Sequence, residues 1–255
     1  MPSEQDLDPT PPSNLSLRVV CWNLHGCIGT DGRRDVPRIA KALAVLKPDI
    51  AGLQEVDLTR LPDAPHDPLE VLANGTNMRS VHAPTLWRDG HAYGNAVLSR
   101  WPITVSLPLD LSVAGKEPRN AMDVTLKHPA GHPRVLITHL GLGRKERRVQ
   151  VARLAERLAH PLGGTDGDDR THPMILMGDL NEWLPWGRTS VASLKAGFDA
   201  DFSRRTFPSS LPLFRLDRML FRPKPKRVVR VPDPPRGFGV RRASDHLPLV
   251  VDLQF

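Results

Sequence analysis

Asn23, Glu55, His139, Asp179, Asn181, Asp217 and the adjacent pair Asp245-His246 each border a short apolar run. Carboxylates, carboxamides and imidazoles are the groups that hold hard cations, exchange protons and hydrogen-bond anionic oxygens. Taken singly, each has an ordinary explanation. Asn23 and Asn181 have an alternative as Asx-turn residues, Asp217 beside Arg218 as half of a surface ion pair, and His139 as a satisfied core histidine. Their recurrence, drawn from only four residue types, is not accounted for by core satisfaction. Converging carboxylates repel one another, and a cluster of them implies a bound cation. Oxygen ligands with no soft sulfur favour Mg²⁺ or Mn²⁺.

The elements that must carry these groups are legible as apolar runs. Met174 to Met177 reads as a strand buried on both faces, running into Gly178, Asp179 and Asn181. Asp179 and Asn181 are two apart, so a continuing strand points them the same way. Leu17 to Trp22 is a strand ending at Asn23, and Val36, Ile39, Leu43 and Leu46 repeat at helical spacing before Pro48. Asp49 to Gln54 is a second buried strand that delivers Glu55, which makes a βαβ-like unit with its strand direction open. Residues 60–76 read as loop with a short helix around Leu69 to Ala73. Strands follow at Gly94 to Ser99, Ile103 to Leu111 and Ala121 to Leu126, the last two as neighbours in an antiparallel meander. Val135 to Thr138 is a strand ending at His139, and Arg144 to Ala159 is a helix with one apolar face. Leu216 to Phe221, Val228 to Val231 and Leu247 to Leu253 complete the strands.

With 255 residues, 40% hydrophobic and 25% charged, the chain can bury a real core. No linker divides two cores, so residues 17–255 are expected to form a single catalytic domain behind a polar, proline-rich and flexible tail at residues 1–16. The formal charge of +7 suits a negatively charged substrate or partner. Of the two cysteines, Cys21 sits in an apolar run and Cys27 in the loop beyond; a bond between them stays open, and their spacing suggests no zinc site. The tail lacks the basic start and apolar core of a signal peptide, and no apolar run is long enough to span a bilayer. The expectation is a soluble, cytoplasmic protein with no obligate protein partner evident.

The motifs in order are Cys-Trp-Asn-Leu at 21–24, Leu-Gln-Glu-Val-Asp at 53–57, Thr-His-Leu at 138–140, Gly-Asp-Leu-Asn at 178–181 and Ser-Asp-His-Leu-Pro at 244–248. In this order, and from about residue 17 to the end, the chain resembles the endonuclease/exonuclease/phosphatase superfamily. It looks closest to small bacterial members with a Thr-Phe-Pro segment (206–208) ahead of Leu-Asp-Arg (216–218). The resemblance implies an α/β (α+β) fold: a four-layer α/β/β/α sandwich of two packed mixed sheets flanked by helices. It also implies Mg²⁺-dependent hydrolysis of phosphoester bonds, with Mn²⁺ as a substitute. By resemblance, Glu55 is the principal metal ligand and Asn23 and Asp245 complete the site. Asp179 deprotonates the attacking water, and Asn181 holds the phosphate or that water. His246 binds a phosphate oxygen while Asp217 fixes its tautomer and favours its charged form. His139 gives a hydrogen bond or proton as charge grows, and Arg119 matches a phosphate-contacting arginine.

For the substrate, a small or lipid-linked phosphoester is weighed against nucleic acid. Relatives that cut DNA usually carry a basic residue two places after the metal glutamate; here that residue is Asp57, which would repel a DNA phosphate. Only one tyrosine, Tyr93, is present, and few aromatics interleave the basic runs. On the other side, residues 222–242 hold eight Lys or Arg and one acid, Asp233, which suits a phosphate backbone, an anionic membrane surface, or a strand edge kept from pairing. Trp183, Leu184 and Trp186 read as a pocket lining, a membrane-touching rim or core. A non-catalytic binding scaffold would have lost part of the constellation, and none of it is missing here.

Overall fold

The computed structural model describes residues 15–61, 65–159, 172–183, 189–233 and 239–255. The first half of the chain contributes β1 (Ser16–Asn23), a 3₁₀ turn at His25–Cys27, α1 (Val36–Leu46), β2 (Ile50–Asp57), α2 (Pro68–Thr76), β3 (Arg79–Arg88) and β4 (His91–Ser99). The second half adds β5 (Ile103–Asp110), β6 (Asn120–Leu126), β7 (Arg134–His139), α3 (Arg144–Ala159), β8 (Met174–Asp179), α4 (Ser190–Lys195) and β9 (Ala200–Ser203). It closes with β10 (Asp217–Arg222), β11 (Arg227–Arg230), α5 (Val240–Ala243) and β12 (Leu249–Gln254).

These strands form two six-stranded sheets, ordered β11-β12-β1-β2-β4-β3 and β5-β6-β7-β8-β10-β9. Each is mixed and holds one parallel pair, β1 with β2 in the first and β7 with β8 in the second. Parallel neighbours need a crossover, and α1 and α3 supply it. The sheets pack face to face through Val19, Cys21, Ile50 and Val97 on one side and Val124, Ile137, Ile175, Met177 and Phe221 on the other. Alternate residues point outward: Val20, Trp22, Leu53 and Leu98 pack with Ile39, Leu43 and Leu72 of α1 and α2. On the opposite side Leu136, Leu176 and Leu220 meet Val151, Leu154, Val191 and Leu194 of α3 and α4. Both faces of the central strands are therefore covered, which is why they read as unbroken apolar runs. The result is the expected four-layer sandwich.

Local chemistry sets the boundaries. The Asp35 side chain accepts from the Arg38 backbone N–H to cap α1, and Lys47 ends it in the left-handed region. Asp67 caps α2 in the same way, so the short helix expected around Leu69 extends to Thr76. β3, α4 and β9 were not expected from the sequence. β12 begins at Leu249, after Pro248, and not at Leu247. Cys21 and Cys27 are both free and buried, which closes the question of a bond between them. Among the described residues no helix is long and apolar enough to cross a membrane.

Candidate active site

The two parallel pairs end at the same edge of the sandwich. β1 and β2 deliver Asn23 and Glu55 there, and β7 and β8 deliver His139 and Asp179, which are themselves register partners. Antiparallel β10 begins at that edge, with Asp217 opposite Asp179, and the Ser244–His246 turn leads into β12 beside β1. Hydrogen bonds from Ser244 Oγ to the Asn23 carbonyl (2.7 Å) and from Trp22 Nε1 to the His246 carbonyl (2.8 Å) fix that turn against β1. The Asn, Glu, Asp and His positions that border the apolar runs thus come to one mouth.

Glu55 stands in a β-bulge: register passes from Leu53 opposite Ala96 to Val56 opposite Gly94, so Gln54 and Glu55 share one partner position. Its φ of 54° lies in the left-handed region, costly for a glutamate, and it re-aims the carboxylate into the mouth. Asn23 Nδ2 donates to Glu55 Oε1 at 2.8 Å and Tyr93 Oη to Oε2 at 2.6 Å. Burial opposes ionisation of Glu55, but the positive charge available to His139 and the hydrogen bonds from Tyr93 and Asn23 outweigh it and hold the carboxyl at about 2.

Asn23 Nδ2 also reaches Asp179 Oδ2 at 3.2 Å. Asp179 is 2% exposed, and burial pushes its carboxyl upward against the pull of His139 and His246. Gly178 before it has to be glycine, because a Cβ would stand 1.9 Å from the Thr138 carbonyl oxygen. The Asp179 Oδ1 accepts from the Asn181 backbone N–H at 2.9 Å, an Asx-type turn made by Asp179 and not by Asn181, and Asn181 stands at φ 49°. The Asn181 amide donates to the Leu140 carbonyl at 2.8 Å and lies 3.0 Å from His139 Nε2. Arg119 Nη1 faces the other ring nitrogen, Nδ1, at 2.9 Å. A neutral imidazole accepts at one nitrogen only, so one of these contacts sets a donor against a donor. Burial first and Arg119 second push the His139 pKa down against the pull of Asp179 and Glu55, which favours the neutral ring. Arg119 Nε is buried without a partner, so the guanidinium has donor capacity to turn toward an anionic oxygen.

Asp217 is fully buried and is no surface ion pair. Its Oδ2 accepts from Thr206 Oγ1 and lies 2.9 Å from His246 Nδ1, while Oδ1 has no partner. His246 Nε2 points to Asp179 Oδ2 at 3.6 Å. Burial would lower the His246 pKa, but the charge and hydrogen bond of Asp217, with Asp179 and Asp245 behind them, raise it to about 10. An imidazolium is therefore stored between two buried carboxylates. Asp245 is more open and pairs with His25 Nδ1 at 3.1 Å.

Among the described residues, Asp179, Asp217 and His246 are the group whose ligand atoms all lie within 4.8 Å of one another. That group carries its own cation, and Asp217 Oδ2 is occupied by Thr206 and His246. Glu55 and Asp245 instead keep side chains 22% and 34% exposed, with oxygen as their only donor atoms, and the Asn23 carboxamide lies beside Glu55. Those donors suit a hard divalent ion.

Sequence reasoning missed His25, Tyr93, Thr206 as the partner of Asp217, and Glu182. His25 stands two residues after Asn23, a same-face signal. Tyr93 becomes visible only through strand pairing, as it lies opposite Asp57. Asp57 accepts from the Thr59 backbone N–H at 2.8 Å and sits 4.0 Å from Arg34, so its charge is partly offset within the fold. Trp183 is 36% exposed and packs edge-on against Phe207 and Phe214; Leu184 and Trp186 lie outside the described residues. β11, in the basic stretch, is an exposed edge strand.

The family model for the Endonuclease/Exonuclease/phosphatase family matches residues 20–246. The uncharacterized protein YbhP of Escherichia coli (strain K12) is 32% identical over 268 residues, spanning 96% of this chain and 99% of that protein. An endonuclease/exonuclease/phosphatase structure from Beutenbergia cavernae DSM 12333 superposes with a TM-score of 0.69 at 24% identity, covering 94% of this chain and 72% of the other. The mannosyl-6-phosphatase Bt3783 of Bacteroides thetaiotaomicron VPI-5482 gives 0.72 at 19% identity, covering 94% and 100%. With a mouth built from the ordered motifs and a family match across nearly the whole chain, this protein belongs to the endonuclease/exonuclease/phosphatase family, whose members are phosphoric ester hydrolases.

Proposed function

We propose that the chain, as one catalytic domain over residues 17–255, hydrolyses a phosphodiester or phosphomonoester of a small or lipid-linked substrate with Mg²⁺ as cofactor. The observation that carries the reading is the His246 ring, held by Asp217 at 2.9 Å and standing 3.6 Å from the buried Asp179. A phosphoester resists water because its anionic oxygens repel a nucleophile and its leaving oxygen must accept charge. Glu55, with Asn23 and Asp245, would hold the divalent ion, which when bound neutralises phosphoryl charge and acidifies water. Mn²⁺ meets the same oxygen donors.

The side chains divide the remaining work. Asp179, made more basic by burial, accepts the proton of the attacking water. Asn23 Nδ2 fixes the orientation of that carboxylate. Asn181 and Arg119 turn their donors from the crowded His139 ring to the non-bridging oxygens, and His246 donates from Nε2 to the same phosphoryl group. His139, kept neutral, acts as a hydrogen-bond donor while charge develops; it does not act as an imidazolium acid. Asp217 positions His246 and keeps it charged.

A non-nucleic-acid substrate is favoured by the apolar wall beside His246, where Phe207 lies 4.8 Å from the ring and leads to Trp183 and Phe214. A structural neighbour described as a mannosyl-6-phosphatase supports a small phosphomonoester. Nucleic acid is the second reading, supported by the net charge of +7 and by the nucleases that the family's description includes.

Asp179→Asn and His246→Ala are each expected to abolish hydrolysis of a chromogenic phosphodiester while the circular dichroism spectrum is unchanged; wild-type turnover in either would refute the assignment. EDTA should silence the enzyme and Mg²⁺ restore it. Plasmid nicking at physiological salt that outpaces lipid and small phosphoesters would favour the second reading.

A further inference from the structure

The four most exposed large apolar side chains among the described residues are Trp87 (68%), Leu142 (66%), Leu211 (65%) and Leu213 (51%). Three of them belong to loops that issue from the catalytic mouth, and Trp87 stands near the end of β3. Trp87 is at the tip of the β3–β4 hairpin, one pair beyond Tyr93, whose hydroxyl binds Glu55. Leu142 follows His139 by three residues. Leu211 and Leu213 lie on the segment whose two ends carry Thr206 and Asp217, and Phe214 (37%) joins them to Trp183, Phe207 and the His246 ring. Ile28 (36%) extends the set after Asn23. Exposed apolar residues elsewhere, such as Leu107 (42%) and Val149 (41%), are each less exposed than those first four.

Scattered exposed apolar residues need no explanation, but a rim confined to one functional edge does. Its contributors come from four separate segments of the chain rather than from one element. Exposed basic residues stand among them: Arg88 beside Trp87, Lys145 beside Leu142, and Arg205 and Arg215 flanking the Leu211–Phe214 segment. Asp89 is the nearest acid to Trp87 in the chain. Apolar tips that enter the headgroup layer, with cations placed to meet anionic headgroups, match an interfacial surface. Tryptophan is the side chain most suited to that boundary.

We infer that this rim docks the catalytic mouth onto an anionic lipid bilayer, where the enzyme takes a phosphoester presented at the membrane surface. The substrate part rests on the proposed phosphoesterase reading; the docking part does not. The Trp183–Phe207–Phe214 wall then offers a continuous apolar path from the bilayer to His246 for the tail or acyl end of the substrate.

The test is co-sedimentation of the full chain with vesicles of phosphatidylcholine alone or mixed with phosphatidylglycerol, at two salt concentrations, together with tryptophan fluorescence. Wild type should bind the mixed vesicles, with a blue-shifted emission and weaker binding at high salt. Trp87→Ser and Leu211→Ser lie outside the catalytic machinery and should each weaken partitioning by about tenfold or more, with hydrolysis of a soluble chromogenic phosphodiester unchanged. Val228→Ser, on the β11 edge, should bind as wild type does. Asp179→Asn should bind fully, which separates docking from catalysis. No binding to mixed vesicles, equal binding to phosphatidylcholine alone, or wild-type partitioning by both rim variants would overturn the inference. Displacement from the vesicles by short single-stranded DNA with no loss in the rim variants would also overturn it and point to a nucleic-acid surface.

Discussion

Replacing Arg147 by methionine probes the buried device that holds two catalytic loops together. Arg147 and Glu182, 5% and 4% exposed at the side chain, face each other at 3.4 Å between the first turn of α3 and the residue after Asn181. Arg147 Nη1 also donates to the carbonyls of Gly141 (3.2 Å) and Leu142 (2.7 Å), directly after the His139 strand. Gln150 accepts from the Gly141 N–H at 2.8 Å and Glu146 from the Gly143 N–H at 3.2 Å, so one helix end clamps the loop. Methionine keeps much of the volume but strands the Glu182 carboxylate, one of whose oxygens already lacks a partner. Leaving one member of a buried pair alone costs about 3–5 kcal/mol. The double variant Arg147→Met/Glu182→Leu removes both charges and should recover most of that loss, for a coupling of roughly 2–4 kcal/mol of opposite sign to the single changes. Urea titration followed by circular dichroism measures it, with the slope of the transition as a check on the denatured state. If Arg147→Met costs under about 1 kcal/mol, or if the double variant loses the sum of the two singles, Glu182 is not a buried dependent charge and the clamp is refuted.

Other expectations follow from the same geometry. His246 is raised from 6.5 to about 10 in the fold, so the stability it adds is fully present below pH 6.5 and is lost as pH climbs through about 10. Asp217→Asn removes the main cause, and the fall of unfolding free energy between neutral pH and about 10 should flatten; an unchanged slope would refute the pairing. Gly178→Ala would drive a Cβ into the Thr138 carbonyl oxygen and is expected to cost about 1–3 kcal/mol by thermal or urea unfolding. At Glu55 both truncations lose the carboxylate, but glycine accepts a φ of 54° and alanine does not; Glu55→Gly should be more stable than Glu55→Ala by about 1 kcal/mol, the reverse of the order in an unstrained strand.

The layers and the mouth were legible in the sequence because buried central strands leave continuous apolar runs and polar groups stop them abruptly. Met174–Met177 and Val135–Thr138 became β8 and β7, with Asp179 and His139 at their ends. β3 was not legible: Arg79–Arg88 is an edge strand, mostly exposed, carrying histidine, proline and arginines, and only pairing with β4 makes it a strand. β9 and α4 are four and six residues long, too short for periodicity to register. The site residues were found by type and place, but their couplings were not. Thr206 meets Asp217 across 11 positions, and Tyr93 meets Glu55 across 38; such partners are set by register and appear in no local pattern.

The two halves of the site share one construction. In each sheet a strand ends in a polar residue, Asn23 or His139, and the chain crosses through α1 or α3. It then returns in a parallel neighbour whose pairing stops at a carboxylate, Asp179, or one residue before one, Glu55. Beyond the regular pairing each return strand reaches a left-handed residue, Glu55 at φ 54° and Asn181 at φ 49°. A strand left to its own repeat would send alternate side chains to opposite faces and could not aim successive ones into a common mouth. The left-handed residue breaks that alternation at a cost of order 1–3 kcal/mol. Hydrogen bonds available only at the mouth offset it: Tyr93 and Asn23 on Glu55, Asp179 and Leu140 on Asn181. Strain and function thus occupy the same residues for a geometric reason. A parallel pair ends at one edge with its last side chains divided between two layers, and only a departure from strand geometry brings them back to one point between the sheets.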